Sequence, residues 1–239
     1  MPKPVSKQTL KSESGSTKYQ AIAFDLDGTL VDSVPDLHYA ANLMLNAVNH
    51  PPVSIDEVRL YIGDGIETLA LRALSRSVEV DDNLDSALCT DATKLFKQFY
   101  LANVSQNSQL YANVTQTLAL LAQSGLKLAV VTNKARQFTL LLLKALDIHH
   151  YFDIIVCGDD LAHKKPHPLP MLHTLQSLKL TPVQLLLVGD SKNDMLSAEQ
   201  AGVDRVFVTY GYHQGIKAQD YTPKYIFDDF AQLQTLISN

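Results

Sequence analysis

Near its N-terminus the chain reads Ala21-Ile22-Ala23-Phe24-Asp25-Leu26-Asp27-Gly28-Thr29. Four consecutive apolar residues followed by polar ones are typical of a strand in a parallel sheet, because such a strand is covered on both faces. Two carboxylates follow where this strand ends, and Gly28 permits a sharp turn after them. Ligands of open parallel sheets bind outside the carboxyl ends of the strands. Asp25 and Asp27 are therefore the first candidates for a functional site.

Similar short apolar runs recur along the chain, and most are too short for helices. They are Leu126–Val131, Ile154–Cys157, Leu185–Val188, Val206–Val208 and Tyr225–Phe227. Helix-like stretches lie between several of them, at Val114–Gln123, Gln137–Leu146, Pro170–Leu178 and Asp194–Ala201. Strands that alternate with helices predict an α/β fold, with a doubly wound, Rossmann-like parallel sheet as its core.

One long segment interrupts this alternation. Residues 34–109 carry helical periodicity and little strand signal, with helices expected at Asp36–Val48, Ile66–Arg76 and Asn83–Leu101. The sequence therefore predicts a core formed by residues 19–33 and 110–239, and an inserted helical domain at 34–109. Residues 1–18 are rich in Ser, Lys and Thr, and we expect them to form a disordered tail.

Composition narrows the function classes. The 239 residues are 46% hydrophobic, which suffices for one large core with a small satellite domain. No apolar run reaches the roughly 18 residues of a membrane span. A net charge of −5 without a basic block argues against nucleic acid as a partner. Two cysteines and the absence of a signal-like apolar stretch favour a reducing cytoplasm. Monomer and homodimer are both compatible with these features.

Polar side chains follow three further strands of the predicted sheet. Thr132-Asn133-Lys134 comes after the second apolar run, Lys164-Lys165-Pro166 follows the loop after the third, and Gly189-Asp190-Ser191 comes after the fourth. Asp194 lies four residues beyond Asp190. These groups suit phosphate and a hard cation such as Mg²⁺, which favours one or two carboxylates with water and substrate oxygens.

The acidic pairs have ordinary explanations as well. Asp25 and Asp27 could form a simple acidic turn, and Asp194 could favour the dipole of a helix that begins near Ser191. Most lysines in loops, including Lys165, would be expected to be exposed. The convergence of four strand ends favours the functional interpretation, in which Asp190 is a better direct metal ligand than Asp194.

These segments resemble the four motifs of the haloacid dehalogenase-like superfamily. Phe24-Asp25-Leu26-Asp27-Gly28-Thr29-Leu30 is similar to the first motif, Val131-Thr132-Asn133-Lys134 to the second, Lys165-Pro166 to the third, and Gly189-Asp190-Ser191-Lys192-Asn193-Asp194 to the fourth. The resemblance covers nearly the whole chain from Tyr19. It implies a phosphate monoester hydrolase that acts on a small phosphorylated metabolite, with the helical insertion as a cap over the substrate.

The resemblance also implies roles for individual residues. Asp25 would be the nucleophile that becomes an aspartyl-phosphate, and Asp27 the general acid and base. Thr132, Asn133 and Lys165 would bind the phosphorylated substrate. Mg²⁺ would be bound by Asp25, the main-chain oxygen of Asp27, and Asp190, with Asp194 supporting that site.

Finer features resemble the phosphoglycolate phosphatases of this superfamily. They are Asp32-Ser33, Tyr61-Ile62-Gly63-Asp64-Gly65, Lys164-Lys165-Pro166-His167-Pro168 and Thr209-Tyr210-Gly211-Tyr212. In the second of these, Gly63, Asp64 and Gly65 precede an expected helix, whose N-terminal amides could bind the carboxylate of 2-phosphoglycolate. Asp64 could instead cap that helix, with Glu67 completing a capping box. Arg59 could supply positive charge, whereas Arg72 lies about two helical turns away.

Several alternatives share this fold. A dehalogenase would not need Asp27, and a phosphonate hydrolase would need a Schiff-base lysine, for which the insertion offers only Lys94 and Lys97 late in its sequence. A phosphatase for another small ester and a sugar phosphomutase both remain open, because a mutase needs the same motifs. A non-catalytic binding protein on this fold is a further alternative.

Overall fold

The computed structural model describes residues 18–237, and six of its strands form one parallel sheet. The strands are β1 (Ala21–Phe24), β2 (Val31–Asp32), β3 (Gln109–Leu110), β4 (Lys127–Val131), β5 (Ile154–Val156), β6 (Leu185–Gly189), β7 (Asp204–Val208) and β8 (Tyr225–Phe227). The order in the large sheet is β5-β4-β1-β6-β7-β8, so β1 lies in the interior between β4 and β6. Strands β2 and β3 pair separately as a short antiparallel ribbon.

Eight α-helices accompany these strands within residues 18–237. They are α1 (Val34–Ala47), α2 (Ile55–Tyr61), α3 (Ile66–Ser75), α4 (Ser86–Asn103), α5 (Val114–Gln123), α6 (Arg136–Ala145), α7 (Leu169–Leu178) and α8 (Lys192–Gln200). The predicted core strands and helices are present, with ends that differ from the prediction by one or two residues. None of the described helices combines the length and the apolar character that a membrane crossing requires.

The two faces of β1 bury different side chains. Ile22 and Phe24 point into a core completed by α5, α6 and the C-terminal turn, whereas Ala21 and Ala23 point into a second core formed with α7 and α8. This alternation follows from the two-residue period of a strand. Helices therefore cover both sides of the sheet, and the predicted doubly wound α/β fold is confirmed.

Helices α1–α4 form a separate helical layer with its own hydrophobic core. Fully buried Phe96 and Tyr100 of α4 pack in this core with residues of α1, α2 and α3. The sequence patterns did not predict the short helix α2. Its signal was the Ser54-x-x-Glu57 pattern, since Ser54 caps the helix and the Glu57 carboxylate accepts a hydrogen bond from the Ser54 amide in return. A fold with an inserted helical layer agrees with the prediction, whereas the exact division at 34–109 stays a prediction.

Buried Asp36 links the chain segment that enters the helical layer at α1 to the segment that returns to the sheet before β3. Its carboxylate, near the start of α1, accepts hydrogen bonds from the amides of Asn107 and Ser108 and from both of their side chains. Asn107 and Ser108 lie on the returning connection, just before β3. The tail predicted for residues 1–18 lies outside the described residues, except for Lys18.

Candidate active site

The central position of β1 brings the polar strand ends together. The amide of Asp25 donates to Val188 of β6 at 3.0 Å, and the Asp25 carboxylate lies 2.9 Å from the Lys165 ammonium. On the other side, Thr132 follows β4, the second neighbour of β1. Because parallel neighbours end at the same edge of the sheet, residues far apart in sequence become adjacent here.

Lys165 is buried, and three hydrogen-bond acceptors surround its ammonium group. Its ammonium lies 2.6 Å from the Val131 carbonyl, 2.6 Å from Asp194 and 2.9 Å from Asp25, so all three of its N–H groups have protein partners. Burial opposes the charge, but Asp194 and Asp25 together hold the pKa of Lys165 above its ordinary value. The expectation of an exposed loop lysine therefore does not apply to Lys165.

Asp194 lies in the first turn of α8, as one of its two interpretations expected. One carboxylate oxygen accepts from the Ser191 hydroxyl at 2.5 Å and from the Ser191 amide at 3.1 Å, which completes a capping box with the N-cap Ser191. The other oxygen accepts from Lys165, and the carboxylate is completely buried. Asp194 thus stabilises the first turn of α8 and fixes the lysine that faces Asp25, while its support of a metal stays a prediction.

Asp190 is held in a tight cradle. It accepts hydrogen bonds from the Thr29 hydroxyl at 2.9 Å and from the Tyr212 amide at 2.7 Å. A Cβ atom on Gly28 would lie 2.2 Å from a carboxylate oxygen of Asp190, and one on Gly211 would lie 2.3 Å from its Cβ. Only glycine at these two positions leaves room for the Asp190 carboxylate, so the Asp-x-Asp-Gly turn is shaped around a residue of another strand end.

Asp27 has its own set of partners beside this group. Both of its carboxylate oxygens lie 3.0 Å from the Lys134 ammonium, and one also accepts from the Ser33 hydroxyl at 2.5 Å. Lys134 is buried, and Asp27 and Tyr100 raise its pKa against the opposing effect of burial. Lys134 belongs to the second motif, but the sequence alone indicated no role for it. Its position directly after a strand end was the signal that pointed to the site.

A small cavity of about 40 Å³ lies over Asp25 and Asp27, between the sheet and the helical layer. The sheet side contributes these two carboxylates with Thr132, Asn133 and Lys134. The helical layer contributes apolar and glycine surface only: Leu37, Ile62, Gly63, Gly65, Ile66 and Leu69. The cavity is thus charged at its floor and apolar at its roof.

The loop Ile62–Gly65 reaches across to the sheet side. Asn133 donates one amide hydrogen bond to the Gly63 carbonyl and another to the Lys165 carbonyl, both at 2.8 Å. Asn193 also donates to the Gly63 carbonyl, at 3.1 Å. Gly63 and Gly65 have φ angles of +124° and +90°, which only glycine adopts without strain. These contacts hold the loop directly over the cavity.

The capping role considered for Asp64 is wrong. The N-cap of α3 is Gly65, which has no side chain to cap with, while the Asp64 carboxylate pairs with Arg72 at 2.7 Å and accepts from Asn193 at 2.9 Å. Arg72 reaches Asp64 because its long side chain folds back along α3 toward the N-terminus. Glu67 pairs with Lys97 instead of completing a capping box.

Two other basic side chains near the loop are exposed. Exposed Arg59 pairs with Asp56 and does not line the cavity. Exposed Lys164 donates to the Asp64 carbonyl, so it contacts the loop from outside. Neither residue supplies positive charge inside the cavity.

The acidic cluster fits a divalent cation. Asp25, Asp190 and Asp194 each offer an oxygen atom within 4.8 Å of the others. Among residues 18–237, Lys165 is the cation paired with this trio, so three carboxylates and one ammonium leave two negative charges uncompensated. Burial raises the pKa of Asp25 to about 7 and that of Asp190 well above its ordinary value, and Asp194 adds to both increases. Carboxylate oxygens are the ligands that Mg²⁺ prefers.

The comparison with known families identifies the chain's relatives. The family model described as haloacid dehalogenase-like hydrolase matches residues 22–208, which is most of the chain and includes all four strand-end segments. The chain belongs to this hydrolase family. Its sequence is 42% identical over 216 residues to a phosphoglycolate phosphatase of Vibrio cholerae, with 90% of this chain and 96% of the relative covered.

Further relatives agree with this assignment. A phosphoglycolate phosphatase of Colwellia psychrerythraea is 40% identical over 214 residues, covering 90% of this chain and 95% of the relative. The crystal structure of a predicted phosphoglycolate phosphatase from Haemophilus somnus superposes with a TM-score of 0.87 at 38% identity, covering 93% of this chain and 99% of that one. The similarity to the haloacid dehalogenase-like superfamily that the sequence predicted is therefore confirmed.

Proposed function

We propose that this hydrolase is a Mg²⁺-dependent phosphatase that acts through an aspartyl-phosphate on Asp25, with 2-phosphoglycolate as its favoured substrate. The observation that carries the proposal is the placement of Asp25. Its carboxylate is 13% exposed and lines the cavity, whereas the Asp190 and Asp194 residues behind it are almost or completely buried. Of the three clustered carboxylates, Asp25 is the one with access to a substrate.

The proposed chemistry proceeds in two balanced steps. A carboxylate oxygen of Asp25 forms a bond to phosphorus while the bond to the ester oxygen breaks, and Asp27 gives a proton to the leaving alcohol. Asp27 then takes a proton from a water molecule whose oxygen attacks the phosphorus, which releases phosphate and regenerates Asp25. Thr132 offers a hydroxyl donor to the phosphoryl oxygens, and Lys165 places its positive charge 2.9 Å from the Asp25 carboxylate.

Asp25, Asp190 and the main-chain oxygen of Asp27 would hold the cation, with Asp194 in support. When bound, Mg²⁺ would supply positive charge that offsets the repulsion between an attacking carboxylate and a phosphate dianion. The chain's own contribution is to favour the ionised form of the accessible Asp25 carboxylate against the effect of burial. Lys165 does so through a direct ion pair, and Asp194 fixes that lysine in place.

The cavity supports a small leaving group. About 40 Å³ is room for about three water molecules, which suits a two-carbon leaving group better than a hexose. We propose that the helical layer α1–α4 acts as a cap that sets this limit. The names of the relatives supply phosphoglycolate as the specific candidate. The free thiols of Cys89 and Cys157 fit a reducing, cytoplasmic location.

The test is a panel of small phosphate esters compared by kcat/KM, with phosphate release as the readout and the products analysed for isomers. The proposal expects 2-phosphoglycolate to lead the panel and the Asp25→Asn variant to release no phosphate. A phosphorylated isomer without net phosphate release would identify a mutase instead. Preference for a sugar phosphate would overturn the substrate while leaving the phosphatase chemistry intact.

A further inference from the structure

The cavity over Asp25 contains a single cationic side chain. Of the residues that line it in the described part of the chain, Lys134 alone is positively charged, and Asp25 and Asp27 are both acidic. Lys165 has all three donors engaged by protein acceptors. A leaving group with its own negative charge would therefore meet two carboxylates, and Lys134 is the group available to compensate that charge.

Lys134 has donor capacity that the protein does not use fully. Its two contacts go to the two oxygens of one carboxylate, that of Asp27. The Lys134 ammonium also lies over the ring of Tyr100 of α4, at 4.8 Å from the ring centroid. An ammonium carries three N–H groups, and one of them suffices to hold a carboxylate partner. Lys134 can therefore bind a second anion without leaving Asp27.

The Tyr100 hydroxyl is an unusual neighbour for this ammonium. It is completely buried, it lies close enough to Lys134 for the ammonium to offset part of the burial effect on its pKa, and it makes no hydrogen bond of acceptable geometry. Within residues 18–237, the other buried side-chain polar atom without a partner is Oδ1 of Asn133, which lines the cavity but can only accept a hydrogen bond. Buried polar groups normally have partners, so the unpaired Tyr100 hydroxyl, which can donate, marks a place where a ligand acceptor would complete the pairing.

From these observations we infer that Lys134 and the Tyr100 hydroxyl form a subsite for a carboxylate on the leaving group. This assignment rests on the proposed phosphatase function and deepens it. Because Lys134 also contacts Asp27, the carboxylate would lie beside the group that protonates the leaving oxygen. A carboxylate subsite directly beside Asp27 fits esters in which a single carbon separates the phosphorylated oxygen from the carboxylate. The substrate class is phosphate esters of small 2-hydroxycarboxylic acids.

The subsite differs from the site that the sequence suggested. From the sequence alone, the N-terminal amides of α3 could bind the carboxylate and Arg59 could supply positive charge. In the structure Arg59 is exposed and paired with Asp56, and the helical layer lines the cavity without any charged side chain. Lys134 comes from the sheet side, directly after Thr132 and Asn133. Tyr100 is the residue through which the helical layer contributes to the subsite.

The experiment compares 2-phosphoglycolate with 2-phosphoglycolamide, which has the same size but an uncharged amide in place of the carboxylate. The measured quantity is the ratio of kcat/KM for the two esters. Lys134→Met, Lys134→Arg and Tyr100→Phe are assayed as full-length protein, with Lys164→Met as the matched control for a lysine just outside the cavity. Thermal denaturation of each variant establishes that it is folded.

The wild-type protein should prefer the carboxylate ester. Lys134→Met should lower that preference at least about 30-fold, mainly through KM, as expected when one partner of a desolvated charge pair is removed. Lys134→Arg should restore part of the preference, and Tyr100→Phe should lower it about 3- to 10-fold, the scale of one hydrogen bond. Lys164→Met should leave the ratio unchanged.

Two results would overturn the subsite. Equal losses on both esters in Lys134→Met would mean that the lysine acts through Asp27 or through stability alone, and a Tyr100→Phe variant with unchanged preference would remove the hydroxyl from the assignment. A wild-type protein that hydrolyses both esters equally well would refute the subsite while leaving the phosphatase proposal standing. A wild-type protein that hydrolyses neither ester but cleaves other phosphate esters would refute 2-phosphoglycolate as the substrate.

Discussion

Replacing Asp25 with Asn should abolish turnover and at the same time stabilise the metal-free protein. Burial, together with Asp194 and Asp27, raises the pKa of Asp25 from 3.8 to about 7 despite the opposing effect of Lys165. A carboxyl group whose pKa is higher in the folded state costs stability wherever the unfolded chain would be ionised. An amide of nearly the same size removes that cost, and it is not a useful nucleophile.

The size of this stabilisation follows from the difference between the pKa of Asp25 in the folded protein, about 7, and its ordinary value of 3.8 in the unfolded chain. Linkage converts it to roughly 4 kcal/mol of unfolding free energy above pH 7, a figure that already includes the attraction between Asp25 and Lys165. For a chain of this length that gain corresponds to a rise in Tm of at least about 8 °C. The cost is absent below pH 4, grows as the pH rises from 4 to 7, and is constant above 7.

The assay is denaturant unfolding of the wild-type and Asp25→Asn proteins in chelator, at pH 5, 6, 7 and 8. The stability gap should widen by about 2–3 kcal/mol between pH 5 and pH 8. Asp56→Asn is the matched control, since Asp56 is exposed and should show no such trend. A gap that is the same at every pH, or an Asp25→Asn variant that is less stable at pH 8, would refute the electrostatic reasoning. A tenth of wild-type activity in this variant would refute covalent catalysis by Asp25.

Three further predictions follow from the site and its supports. Asp27→Asn should lower kcat by about 10²–10⁴-fold on alkyl phosphates and less on aryl phosphates, because aryl leaving groups need little protonation. Steady-state assays on both kinds of ester measure the two losses. Equal losses would contradict the role of Asp27 as the acid, provided that dephosphorylation is not rate-limiting. Chelation should abolish phosphate release, and added Mg²⁺ should restore it. Ca²⁺ should bind yet support little turnover, because it prefers longer bonds and more ligands than Mg²⁺. Full activity in Ca²⁺ would contradict the proposed metal role. Asp36→Ala should lower the unfolding free energy by about 3 kcal/mol or more, because it removes the acceptor of the buried Ser108 amide and hydroxyl and of the Asn107 amide. Asp56→Ala should cost less than about 0.5 kcal/mol. A loss for Asp36→Ala as small as that for Asp56→Ala would show that the two connections are not held together by this carboxylate.

The sequence by itself determined the sheet and the residues at its edge. The apolar runs and the helical periods between them reflect burial, which is a local property of a strand or helix, so they could be read without the structure. The polar residues at the strand ends could be identified for the same reason. Parallel strands place their carboxyl ends at one edge, so the convergence of Asp25, Thr132 and Asp190 followed from the fold class alone.

Only the tertiary structure decided which side chains pair across these segments. Whether Asp64 would cap α3 or meet Arg72 and Asn193 depended on the packing of the helical layer against the sheet, because the competing partners have similar chemistry. Tyr100 carries no motif and lies 34 residues before Lys134, so its place over that ammonium could not be inferred from spacing. Long-range contacts between side chains are set by how rigid elements dock, and that docking is a property of the whole chain.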